Sequence, residues 1–173
     1  MISPARSAAS YIEGMERRID YRKAAPEGFQ AMRDLDGYAK TSGLERKLLE
    51  LVRMRASQIN GCAYCLDMHS KDARANGESE QRLYVLDAWR ESPFYTPRER
   101  AALAWTDVVT RISRQGVPDE LYEEVRAQFS EKEIVDLTIA VIAINGWNRL
   151  AISFRTPVGT YRPVPADASP RAR

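Results

Sequence analysis

The sequence predicts an all-α fold, and three observations carry that reading. Apolar residues recur at spacings of three and four along most of the chain, and no segment alternates with a period of two. The prolines leave 27–92 and 119–156 uninterrupted, which is where long helices fit. Two capping-box signatures, Thr96-x-x-Glu99 and Ser130-x-x-Glu133, stand just ahead of apolar runs. No internal repeat is evident.

Taken in order, residues 1–16 are rich in Ser and Ala and read as a loose N-terminal arm. Pro26 with Glu27 opens a first helix, along which Phe29, Met32, Leu35 and Tyr38 recur until Gly43. Leu44, Leu48, Leu51, Val52 and Ile59 form the stripe of a second, which Asn60-Gly61 interrupts. A third runs from Cys62 to about Ala75, with Gly77 as its stop. Ser79 opens a short fourth through Leu83, Leu86 and Trp89. The fifth starts at Thr96 and carries Leu103, Trp105, Val108, Val109 and Ile112 as far as Gly116. Pro118 begins a sixth through Leu121, Val125 and Phe129. The last follows Ser130 and is apolar almost all round from Ile134 to Ile144, continuing to about Phe154; such a helix is central or lies in a subunit interface. Pro157, Pro163, Pro165 and Pro170 deny regular structure to the tail, residues 158–173. The expectation is one domain, 17–157, of six to seven helices.

With 44% apolar and 29% charged residues, the 173-residue chain has the composition of a soluble globular domain able to bury a core. A net charge of +2 argues against a nucleic-acid or membrane surface. The longest apolar run, Leu137 to Ile144, is too short to span a bilayer, and Met1 to Ser10 has no apolar signal core. The cytoplasm is the expected compartment, and there a Cys-x-x-Cys is more often redox-active or metal-binding than a structural staple.

Both cysteines and the only histidine fall within Cys62-Ala63-Tyr64-Cys65-Leu66-Asp67-Met68-His69. On a helix, positions 62, 65 and 69 share one face. A helix starting after Asn60-Gly61 places Cys62 in its first turn, where exposed N–H groups favour a thiolate. His69 can take a proton from Cys65. A thiolate attacks a peroxide oxygen to give a sulfenic acid, and a second thiol three residues away condenses with it to a disulfide. Two other readings compete: two cysteines buried as small hydrophobes, and a zinc site of Cys62, Cys65, His69 and an acid. Against zinc, there is no second Cys pair, and its Cys and His ligands would all lie on one helix.

Glu50, eleven residues, then Cys62-x-x-Cys65-x-x-x-His69 resembles the signature of the alkylhydroperoxidase AhpD family, within the carboxymuconolactone decarboxylase superfamily. The likeness runs from Arg18-Ile19-Asp20-Tyr21 to Thr156-Pro157 and includes Asn145-Gly146-Trp147-Asn148-Arg149. The resemblance implies an AhpD-like helical bundle assembled as trimers or hexamers. It implies that Cys65 attacks a hydroperoxide, Cys62 resolves, His69 relays a proton and Glu50 stands behind His69. It also implies no bound cofactor and an external dithiol reductant, such as a lipoyl-bearing protein.

Read by itself, Glu50 lies off the apolar stripe and is also placed to pair with Arg46 or Arg53 in solvent. One feature departs from the family pattern: the best-known peroxidases have a histidine between the cysteines, where this chain has Tyr64. A phenol, with a pKa of about 10, donates a hydrogen bond but is no base near neutral pH. Tyr64, Trp147, Asn148 and Arg149 are candidates to line a pocket or an interface. The wider superfamily's decarboxylase or lactone chemistry, and a non-catalytic redox-sensing oligomer, are the alternative functions.

Overall fold

The computed structural model describes residues 16–163; most of the expected N-terminal arm, and the tail beyond 163, lie outside the described residues. Among the described residues the fold is all-α, with nine α-helices and one short 3-10 turn. The helices are α1 (Tyr21–Ala24), α2 (Pro26–Thr41), α3 (Arg46–Asn60), α4 (Ala63–Ala75), α5 (Glu80–Tyr84), α6 (Pro97–Thr110), α7 (Ile112–Gln115), α8 (Asp119–Arg126) and α9 (Glu131–Ser153).

Both capping boxes form as the sequence requires. Glu99 N–H donates to Thr96 Oγ1 while Thr96 N–H donates to Glu99 Oε2; Ser130 and Glu133 repeat the arrangement at the start of α9. Four boundaries differ from expectation. Leu44 is not helical: it is buried in the bend before α3, and Glu45, with ψ 129°, is the cap. The predicted fourth helix breaks into α5 and a 3-10 turn at Leu86–Ala88, and the fifth breaks at Arg111 into α6 and α7. Phe129 packs in the core beyond the end of α8.

The centre of the bundle is α3. Every residue from Leu48 to Ser57 is buried, and the helix packs against α4, α6 and α9. The sequence disguises this because Glu50, Arg53 and Arg55 punctuate the helix; each proves to be a buried charge with a partner. The α9 helix shows two faces instead of uniform burial. Ile134, Leu137, Val141, Ile144, Asn148 and Ala151 face inward, while Val135 and Ile142 are more than half exposed. By length and composition α9 could cross a membrane, yet half of its most apolar stretch is buried inside the fold.

One internal ion cluster holds α3 to α6. Arg55 Nε donates to Asp107 Oδ1 at 2.6 Å, both side chains under a tenth exposed, and the largely exposed Arg90 and Asp87 cover the pair. Burial pushes the Asp107 carboxyl up, but its bonds to Arg55 and Arg90 hold it below the usual carboxylate range. Removing one partner of a buried pair strands the other charge. We expect Asp107→Ala to lower stability by about 3–5 kcal/mol in a urea titration, with Arg55→Lys losing less.

Candidate active site

The turn between α3 and α4 builds the site. Gly61 takes the left-handed conformation (φ 67°), which lets the chain reverse at once, and the Cys62 N–H bonds to Ser57 O at 2.9 Å. Cys62 is therefore the residue before α4, with extended φ/ψ, rather than a member of its first turn as its spacing suggested. It forms no side-chain cap bond, but the amide of Cys65, and to a lesser degree that of Tyr64, favour its thiolate. Cys65 follows in the first turn of α4 and His69 one turn later. Both sulfurs are buried reduced thiols.

Glu50 reaches His69 across the α3–α4 interface, with Oε2 2.8 Å from Nδ1. Its other oxygen accepts from Arg53 Nη1 at 2.9 Å, and Arg53 also reaches Asp36. Glu50 is thus not the solvated carboxylate its position on the helix allowed, yet the Arg53 pairing considered for it does form. Burial pushes its carboxyl up, while the bond and charge of His69, together with Arg53, outweigh that and leave it below the ordinary range. An ionised Glu50 at Nδ1 requires a hydrogen there, so His69 Nε2 is the nitrogen free to exchange a proton.

A cavity of about 330 Å³ opens onto this pair. Cys65, Tyr64, Met68, His69 and Glu50 line one side, and Tyr21, Phe29 and Trp147 supply an aromatic wall. Phe29 and Trp147 meet edge to face, 5.7 Å between centroids. Cys62 does not line the cavity; Cys65 is the cysteine that does. Of the residues proposed from the Asn145–Arg149 run, only Trp147 is in this wall. Asn148 is wholly buried and lies behind the cysteines, and Arg149 turns back onto Asn145. A more open groove of about 870 Å³ between α6 and α8 holds no thiol or imidazole.

The two sulfurs are electrostatically unequal. A hydrogen bond from Cys65 is the main influence bringing the Cys62 thiol down to about 7, against burial and aided by the Cys65 amide and Asn148. The same bond, with burial and the charge on Cys62, pushes the Cys65 thiol strongly up. A proton kept by the pair therefore favours Cys65 over Cys62. Ligand atoms of Glu50, His69 and Asp72 lie within 4.8 Å of one another, with neither thiol among them. The zinc arrangement weighed from sequence is thus not assembled, and Glu50 and Asp72 are already engaged by Arg53 and Tyr161.

Tyr161 and Asp72 are site residues that sequence reasoning missed. Residues 158–163 lack helix and strand, as expected of the tail, but they are tied down: Gly159 N–H bonds Asp67, Lys71 Nζ bonds Tyr161 O, and Tyr161 donates to Asp72 Oδ1 at 2.7 Å. Tyr161 thereby closes one side of the cavity. No local pattern announces it. Asp72 was findable, one turn beyond His69 on the same face.

Residues 26–108, which hold Glu50, both cysteines and His69, match the carboxymuconolactone decarboxylase family. The uncharacterized protein YdfG of Bacillus subtilis is 48% identical over 139 residues, 80% of this chain and 95% of its own length. The chain belongs to the carboxymuconolactone decarboxylase family. Among solved structures, an Agrobacterium tumefaciens protein of unknown function, proposed as the antioxidant defence protein AhpD, superposes with a TM-score of 0.82 at 49% identity. It covers 84% of this chain and 100% of that one. The debrominase Bmp8 shares the fold at a TM-score of 0.72 and 21% identity, over 90% of both chains. This carboxymuconolactone decarboxylase family member therefore has the AhpD-like helical fold, and its Cys-x-x-Cys lies at the centre of the matched segment.

Proposed function

We propose that the protein is a thiol-dependent peroxidase that reduces alkyl hydroperoxides through Cys65 and Cys62, with His69 and Glu50 handling the proton. The observation that carries this reading is the 2.8 Å Glu50–His69 pair opening into the same cavity as Cys65. In the reduced pair the single proton shifts from Cys65 to Cys62. The Cys65 thiolate then attacks the outer peroxide oxygen, the O–O bond breaks, and the alkoxide leaves with a proton delivered from His69, giving an alcohol and Cys65 sulfenic acid. His69 regains that proton from the Cys62 thiol. The Cys62 thiolate attacks the Cys65 sulfur, hydroxide leaves and takes up a proton from solvent, and a disulfide remains. A dithiol donor of the lipoyl type reduces the disulfide and is itself oxidised. Tyr64 lines the cavity with a phenol in place of a second imidazole, so His69 is the only imidazole in the cycle.

The aromatic wall and the cavity size favour a small organic hydroperoxide over hydrogen peroxide alone. The exposed Val135 and Ile142 on α9 fit burial against further copies in a trimer or hexamer, and a dithiol-driven cycle suits the reducing cytoplasm. Titration tests the reading. One equivalent of cumene hydroperoxide should remove both titratable thiols, and a dihydrolipoyl compound should restore them and sustain turnover. Thiols that survive the peroxide would refute it. Decarboxylation that persists in Cys62→Ser/Cys65→Ser would favour the other branch of family chemistry. Disulfide formation that changes assembly but supports no turnover would favour a redox sensor.

A further inference from the structure

Behind the cysteines, among residues that do not line the cavity, lies a polar chain whose inner members, Ser57 and Asn148, are sealed from solvent. Asn60 Nδ2 donates to Asn148 Oδ1 at 2.8 Å and to Asn145 Oδ1 at 3.0 Å. Asn145 is in turn fixed by donating to Val141 O and Thr110 Oγ1. With its oxygen occupied, Asn148 can only turn its NH₂ inward, where Nδ2 donates to Ser57 Oγ at 3.0 Å. Ser57 and Asn148 are both 0% exposed, and the Cys62 N–H is pinned to the Ser57 carbonyl. These bonds all run in one direction. Ser57 receives a hydrogen from Asn148, so its own hydroxyl hydrogen is left to donate, and the Cys65 sulfur is the acceptor it faces. The Asn148 amide faces both sulfurs.

We propose that Ser57, oriented by Asn148 and Asn60, is a positioning residue that moves negative charge from the Cys62 sulfur onto the Cys65 sulfur. The amides at the start of α4 favour charge on Cys62, the sulfur that does not reach the cavity. A donor that favours the Cys65 side is required if the approachable thiol is to become the nucleophile; Asn148 faces both sulfurs, and Ser57 is the donor that faces Cys65 alone. A packing role alone would not need a hydroxyl, nor three amides arranged to aim it. The inference rests on the two-thiol reading above, but its readout does not require peroxide turnover.

The experiment alkylates the reduced full-length protein with a limiting amount of iodoacetamide at neutral pH. Mass spectrometry then measures the ratio of label on Cys65 to label on Cys62, for the parent, Ser57→Ala and Ser57→Thr. Each thiolate displaces iodide, so the label reports which sulfur carries accessible charge. Loss of a donor to a charged acceptor should lower the Cys65/Cys62 ratio about tenfold in Ser57→Ala. Ser57→Thr, which keeps the hydroxyl, should restore it. An unchanged ratio in Ser57→Ala overturns the proposal, as does a fall of equal size in Ser57→Thr. A parent protein that consumes no peroxide while the ratio shifts would sink the peroxidase assignment and leave the role of Ser57 standing.

Discussion

Cys65→Ser should abolish peroxide consumption, to below about a thousandth of the parent rate, while Cys62→Ser should consume roughly one equivalent and then stop. The asymmetry follows from the cavity. Cys65 lines it and Cys62 does not, so removing Cys65 removes the one cysteine thiol that a peroxide can meet there. Removing Cys62 leaves the nucleophile but nothing to condense with its sulfenic acid, so the cycle stalls after the first equivalent. Electrostatics alone would reverse the assignment, because the Cys62 thiol lies at about 7 and the Cys65 thiol is pushed up. If charge rather than access decided, Cys62→Ser would be inert and Cys65→Ser would take the single equivalent. Burst amplitudes in the two variants separate these outcomes. The pH profile carries a sign as well. Below about 7 the pair takes up a second proton and loses its nucleophile, so on the acid side the parent rate should rise with pH up to that point.

How far the sequence could be read depended on whether each signal was local. The helices were legible because their caps and stops are built from neighbours, as at Thr96 with Glu99 and Ser130 with Glu133. Cys65 and His69 were legible as neighbours because they stand one turn apart on α4, whereas Cys62 precedes the helix. Glu50 was different: its own helix offered Arg53 at i+3, and only packing of α3 on α4 adds His69 nineteen residues away. The central place of α3 was hidden for a related reason. A helix carrying Glu50, Arg53 and Arg55 looks half-solvated until Asp36, Asp87 and Asp107 are found around it. Tyr161 and the Asn60–Asn148–Ser57 chain join segments up to 91 residues apart, and no periodicity records such a meeting.

Glu50→Gln should lower turnover by about 10²–10⁴ and stability by about 3 kcal/mol. Glutamine keeps the shape and a bond to Nδ1 but removes the charge. His69 then loses the anion bonded to its Nδ1, and Arg53 keeps only Asp36, at 3.3 Å, to balance a buried guanidinium. The stability loss belongs at the low end of the range for a broken buried pair because Asp36 remains. It also has a pH signature. A Glu50 carboxyl held below its usual value stabilises the parent above its unfolded pKa and ceases to do so as acid titrates it, so the parent and Glu50→Gln should converge in stability at low pH. Whether the activity loss comes through His69 is decided by a double-mutant cycle. If Glu50 acts only by holding and charging the imidazole, Glu50→Gln/His69→Gln will turn over no more slowly than His69→Gln alone. Two losses that multiply would mean that Glu50 touches the chemistry by some other route, and the relay through Nδ1 would have to be given up even with peroxidase activity intact.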